Sequence, residues 1–233
     1  MPESVMPTDL PEWAMRQSAG FLSDLGDRWR HVRAVGERAR QVSVILGEED
    51  QGVLVAAAYL HDIGYAPVLR RTGAHQLDGA GWVRSQGYER LACLVAHHSQ
   101  ARFELELREL SEDLAAYPRE ESAVADALVY CDLTTGPAGQ AMTLQERIDE
   151  VRSRYGPGTL VAEALDEATP DLRRAVERTE QRICEPGGSN QTASDTGRAA
   201  PAPAQRRPPR LATPAWSRPW GEDSGRVGGV WGR

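Results

Sequence analysis

Eight consecutive residues, Val53-Leu54-Val55-Ala56-Ala57-Ala58-Tyr59-Leu60, are apolar on nearly every side of any helix they could form. Glu48-Glu49-Asp50 precede them, where the N-terminus of a helix favours negative charge. A helix apolar all round has no face for solvent, so other elements must enclose it. The run therefore predicts a central buried helix that continues into His61-Asp62 and stops at Gly64 and Pro67.

The flanking sequence supplies that enclosure as more helices. From Trp29 to Leu46, apolar residues fall at 32, 35, 39, 42 and 45–46, the spacing of one buried face, and Gly47 ends the run. Ser18 to Gly26 is weakly helical. Further helical patterns cover 75–86, 88–98, 104–116, 120–132, 143–155 and 158–184, separated by Gly87, Pro118, Gly136-Pro137 and Gly156-Pro157. Alternating strand patterns are absent, and the expectation is an all-α bundle.

That body is expected to span residues 1–185. From 186 the sequence turns rich in Pro, Gly and Arg, which cannot bury enough apolar surface to offset its ordering entropy, so 186–233 is expected to be a disordered tail. Its three tryptophans, Trp216, Trp220 and Trp231, are unusual for a linker. Residues 1–186 hold 20 Arg against 31 carboxylates, whereas 187–233 hold 7 against 3. An acidic body repels nucleic-acid backbones, so no nucleic-acid partner is expected for the core. Apolar runs are too short to span a membrane, and Met1-Pro2-Glu3-Ser4 lacks a basic-then-apolar leader. Cys93, Cys131 and Cys184 are odd in number and widely spaced, which suits a reducing cytoplasm. Every basic residue is Arg, so no lysine serves as catalytic base or Schiff-base former.

The five histidines, His31, His61, His75, His97 and His98, all fall between positions 31 and 98, and none follows. Each lies on or at the end of a predicted helix. Asp132 follows the apolar run Ala127-Leu128-Val129-Tyr130-Cys131, where an unpartnered carboxylate would be costly. Imidazoles and carboxylates suit a borderline or hard divalent metal, whereas structural zinc favours thiolates. Cys131 neighbours Asp132, but adjacent helix positions face about 100° apart, so it is left out of the site. Asp62 has two oxygens and could bridge two ions, with open positions left for water and substrate.

In order and type, His31…His61-Asp62…Asp132 resembles the ligand series of the HD superfamily of metal-dependent phosphohydrolases. His61-Asp62-Ile63-Gly64 matches its HDIG variant letter for letter. His75-Gln76-Leu77-Asp78-Gly79-Ala80 and His98-Ser99 are similar to segments of six-ligand members such as bacterial HD-type diadenosine tetraphosphate hydrolases. The resemblance covers about residues 28–135. It implies a helical core in which His31, His61, Asp62 and Asp132 hold one metal. Asp62, the catalytic bridging carboxylate, would share a second ion with His75 and His98, or with His97, which is otherwise a substrate contact or a hydrogen-bonded supporting residue. Many relatives place a Lys shortly after the His-Asp pair; Tyr65 occupies that neighbourhood here, and Arg70, Arg71 or Arg102 could supply the charge. The Gly-Tyr-Pro signature of cyclic-di-GMP phosphodiesterases does not follow His97-His98. Ser99, Gln100, Thr134 and Thr135 adjoin the candidate ligands.

The resemblance implies hydrolysis of a phosphate ester or anhydride, of a nucleotide, by a metal-activated water. The implied cofactor is one or two divalent ions drawn from Mn, Fe, Co, Mg, Ni or Zn, and the implied partner is a small phosphate substrate. Two alternatives use the same residues: a di-iron oxygenase on the HD fold, and a non-catalytic protein that binds metal or nucleotide for regulation.

Overall fold

The computed structural model describes residues 9–185, and the tail expected at 186–233 lies outside the described residues. Among the described residues ten α-helices succeed one another: α1 (Leu10–Leu22), α2 (Asp27–Val42), α3 (Glu48–Leu60), α4 (His75–Ser85), α5 (Glu89–His97), α6 (Arg102–Leu107), α7 (Ser111–Ala115), α8 (Ala123–Leu133), α9 (Leu144–Tyr155) and α10 (Leu160–Cys184). Among the described residues there is no strand, only an isolated antiparallel bridge between Thr135 and Ala141. The fold is all-α.

The apolar run lies where its composition requires. Residues Leu54 to Leu60 of α3 are all buried, enclosed by α1, α2, α5 and α8. The antiparallel pair α4 and α5 covers one side of this core, and α10 lies across α6, α8 and α9. There Leu133, Leu144, Ile148, Leu172 and Val176 form a second, smaller apolar cluster.

Three expected segments come out differently. The first helix begins at Leu10, not Ser18, because the Asp9 side chain accepts from Glu12 N at 3.1 Å and Pro11 sits in the first turn, where its missing N–H costs nothing. The pattern over 104–116 is two short helices, not one. Glu109 takes a left-handed φ of 61°, and Leu110 N donates back to Leu105 O at 2.8 Å, a Schellman closure without glycine. The pattern over 88–98 stops at His97, for His98 is already extended (φ −57°, ψ 151°) and Ser99 and Gln100 follow at φ 51° and 58°.

One close approach determines how α4 meets the end of α3. A Cβ on Gly64 would lie 1.9 Å from His75 O and 2.6 Å from Gly79 N, so only glycine lets the first turn of α4 settle on the turn after His61-Asp62. Asp78 holds the approach to α4, accepting from Thr72 N at 2.8 Å and from Thr72 Oγ1 at 2.9 Å. His75, the first residue of the helix, is thereby delivered to Asp62.

Candidate metal centre

His31 comes from the middle of α2, His61 and Asp62 from the end of α3, His75 from the start of α4, His98 from the break after α5, and Asp132 from the end of α8. These six side chains meet. His31 Nε2 lies 3.0 Å from Asp132 Oδ1, and His61 Nε2 lies 3.3 Å from Asp62 Oδ2 and 3.8 Å from Asp132 Oδ1. On the other side of Asp62, Oδ1 is 3.4 Å from His75 Nε2 and 3.7 Å from His98 Nε2. Donors each about 2.1 Å from one ion can be no more than about 4.2 Å apart, and every one of these separations meets that limit. Two three-residue groups result, His31-His61-Asp62 and Asp62-His75-His98, with Asp62 in both.

The tautomers bear on what belongs between these atoms. His61 Nδ1–H donates to Ala58 O at 2.7 Å, His98 Nδ1–H to Val95 O at 2.6 Å, and His31 Nδ1–H to Gly136 O at 3.2 Å. A carbonyl only accepts, so the neutral ring carries its proton on Nδ1 and turns a lone pair inward on Nε2. At His31 that lone pair faces a carboxylate oxygen 3.0 Å away, acceptor against acceptor. His61 Nε2 is fully buried and has no hydrogen-bond partner. Such an arrangement calls for a cation, and nitrogen and oxygen donors without a thiolate fit a divalent metal.

The electrostatics agree. Burial opposes charge on His61, but Asp62 and Asp132 outweigh it and push the imidazole up to about 9, so a proton stands in for a cation. Burial would raise the Asp62 carboxyl, yet Arg28 and His61 hold it well below the usual carboxylate range. His75 moves the opposite way, lowered to about 3 by burial, with His98 adding to the effect against the pull of Asp62. The Cys131 thiol, left out of the site on sequence grounds, is pushed up to about 12 by burial and stays inert at neutral pH.

Supporting contacts fix the cluster. Ser99 Oγ donates to Asp132 Oδ2, and the Arg28 guanidinium pairs with Asp62 Oδ2 while lying 3.9 Å over the Tyr65 ring. Tyr65 in turn stacks on His75 at 4.1 Å. Sequence reasoning missed Arg28. Its signal was available, because position 28 lies three residues before His31 and so on the same helix face. The Gly136 carbonyl behind His31 carries no side-chain signal at all.

The remaining candidates are not brought to this cluster. His97 turns away from His98, its Nε2 lying 2.7 Å from Tyr117 O. Arg102 pairs with Asp171 on α10. His97 and Arg102 line a neighbouring cleft of about 670 Å³, which shares His98 and Gln100 with the cavity of about 140 Å³ lined by Asp62, His75, His98 and Asp132, and they do not line that cavity themselves. Arg70 and Arg71 are exposed on the loop before α4. Arg28 holds the place beside Asp62 that the sequence offered to those three arginines.

Residues 28–132 match the family model of the HD domain. The matched stretch runs from α2 to α8 of the all-α bundle. The HD domain is that of a superfamily of metal-dependent phosphohydrolases, and all six clustered side chains fall within the matched residues. No curated protein and no solved structure matches the chain. Among the described residues no helix is long and apolar enough to cross a membrane.

Proposed function

We propose that this protein is a metal-dependent phosphohydrolase that cleaves a phosphate ester or anhydride of a small, nucleotide-like substrate with water as nucleophile. One observation carries the reading: the two oxygens of Asp62 face different histidine sets, Oδ2 toward His61 at 3.3 Å and Oδ1 toward His75 at 3.4 Å. A structural metal needs four closed ligands, whereas six ligands around a shared carboxylate can hold two ions with positions left over. Divalent ions bound there supply hydroxide at neutral pH, by lowering the pKa of water, and neutralise the attacked phosphoryl group.

The chain's own groups do the rest. His31, His61 and His98 are kept in one tautomer by backbone carbonyls, so their Nε2 atoms are ready as ligands without rearrangement. Ser99 holds Asp132 in orientation. Arg28, partly exposed at the cavity and supported on the Tyr65 ring, is the guanidinium placed to receive a phosphoryl oxygen beside Asp62. The buried cluster excludes bulk water and strengthens each of these interactions.

The test is elemental analysis of the purified protein, followed by a panel of phosphoesters and nucleotides assayed with each divalent metal. The reading expects stoichiometric metal and hydrolysis that chelation abolishes and metal restores. Full-rate hydrolysis after complete chelation sinks it, as does an iron-loaded protein that consumes oxygen on polyols or phosphonates without releasing phosphate.

A further inference from the structure

The wall facing the metal cluster comes from α9 and α10, beyond the residues that match the HD domain. On α9, Arg147 is only 8% exposed, yet its Nε–H has no acceptor. One end of its guanidinium pairs with Glu150, whose two oxygens also take Arg154 Nη2 at 2.5 and 2.6 Å. Two guanidiniums thus share one carboxylate, leaving an excess positive charge on this wall. Val151, Val161, Leu165 and Leu172 make the rest of it apolar, so solvent does little to screen that charge.

A buried guanidinium that shares its one carboxylate with a second arginine is costly unless a ligand supplies further negative charge. Arg147 and Arg154 line the same cavity of about 140 Å³ as Asp62, His75, His98 and Asp132. That space suits the compact phosphate end of a nucleotide-like substrate. A planar guanidinium matches phosphate oxygens in geometry and charge. We propose that Arg147, with Arg154, forms an anion subsite that takes a second phosphoryl group, so that the substrates bound best carry two linked phosphates. The inference rests on the reading that the Asp62 cluster receives the first phosphoryl group. It selects phosphoanhydride-bearing compounds over simple monoesters.

Pyrophosphate and inorganic phosphate are titrated into the full-length protein by calorimetry, metal-free and metal-loaded, with elemental analysis of the recovered protein after each run. The expected result is pyrophosphate binding about tenfold tighter than phosphate, the gain of one charged hydrogen-bonded contact. Arg147→Met abolishes that preference. Arg154→Gln, at a more exposed side chain, reduces it and leaves thermal stability unchanged, so the test survives if Arg147→Met fails to fold. Arg152→Gln on the same helix, where Arg152 pairs with Asp166 at 2.6 Å, changes nothing. Equal binding of the two anions by the parent protein, or a preference that survives both Arg147→Met and Arg154→Gln, overturns the subsite. A protein that retains no metal but keeps an Arg147-dependent preference refutes the metal reading alone.

Discussion

On one side of Asp62, His31 and His61 have side chains 2% and 1% exposed, and both rings donate to backbone carbonyls behind them. On the other side, His98 is held in the same manner, but the His75 side chain is 16% exposed and rests on the ring of Tyr65. His75 also depends on a loop, since it opens α4 instead of sitting inside a helix. The first half is built into the buried core, around α2, α3 and α8. The second half is delivered by a close glycine contact and lies nearer the cavity. Two ions held by one carboxylate should therefore differ, with a tight one at His31-His61 and a more exchangeable one at His75-His98.

The strongest way to break that contrast is to remove what both halves share. Asp62→Asn keeps the size of the side chain and takes away its charge and one ligand oxygen. Both metal equivalents should be lost by elemental analysis, and hydrolysis should fall by more than the about 10–100-fold that an outer-shell partner costs. Retention of a full complement of metal would mean that Asp62 is not the bridge. Circular dichroism checks that Arg28, deprived of its ion-pair partner, has not unfolded the variant.

Gly64→Ala attacks the second half through the backbone. The new Cβ would meet His75 O at 1.9 Å, an atom of the main chain that cannot swing aside. The expected loss is at the upper end of the about 1–3 kcal/mol typical of overpacking. For a domain of this size it corresponds to a fall in Tm on the order of 10 °C. Metal should leave the His75 side first, since α4 must move away from Asp62.

His75→Ala sharpens the comparison without touching the backbone. It should leave one tightly held metal equivalent on the His31-His61 side, while His61→Ala should lose that ion instead. The two halves also differ in their protons. His61 keeps a proton up to about pH 9 in the metal-free protein, so the stability gained from its charged form is present below its ordinary value of 6.5 and is lost as pH rises through about 9. A cation that takes the same lone pair must expel that proton. Uptake at the first half should accordingly release a proton into a buffer at pH 7.5 and strengthen toward pH 9. His75, lowered to about 3, is already neutral and should release none. Calorimetry in buffers of different ionisation enthalpy counts the protons, and equal release from parent and His61→Ala proteins would contradict the asymmetry.

How much of this was legible follows the same division. His61, Asp62 and Asp132 could be read because polar ligand types end helices that are otherwise apolar, and Ala127 to Cys131 leaves Asp132 no innocent reason to be buried, whereas His31, on the charged helix α2, was read only from its place in the ligand series. The buried α3 was legible from composition alone. Of the His97-His98 pair the resemblance favoured His98, but the helical pattern alone could not choose, because the choice depends on where α5 ends, and it ends in a left-handed turn at Ser99-Gln100 that contains no glycine. The start of α1 was missed because Asp9 and Pro11 carry the signal and the apolar periodicity there is weak. Arg147 sits among Leu144, Ile148 and Val151 on the inner face of α9, a charge at a core position that helical spacing could have exposed. What no spacing could give is the facing wall, since α9 is brought to the cluster by long-range packing on α8 and α10.

The smallest expected effect concerns that same left-handed turn, and two substitutions at one position separate its two costs. Ser99 donates to Asp132 Oδ2 and also holds φ 51°, a conformation that a residue with a Cβ adopts at a cost of about 1–2 kcal/mol. Ser99→Ala loses the hydroxyl and keeps the backbone cost, whereas Ser99→Gly loses the hydroxyl and relieves it. Both should weaken metal retention at the first half by about tenfold, the low end for an outer-shell partner. Ser99→Gly should be the more stable of the two by about 1 kcal/mol in denaturant unfolding. If Ser99→Gly instead loses metal much more severely than Ser99→Ala, the strained turn itself, and not the hydroxyl on Asp132, is what keeps His98 and Asp132 in register. The difference between the halves would then lie in backbone rigidity more than in side-chain support.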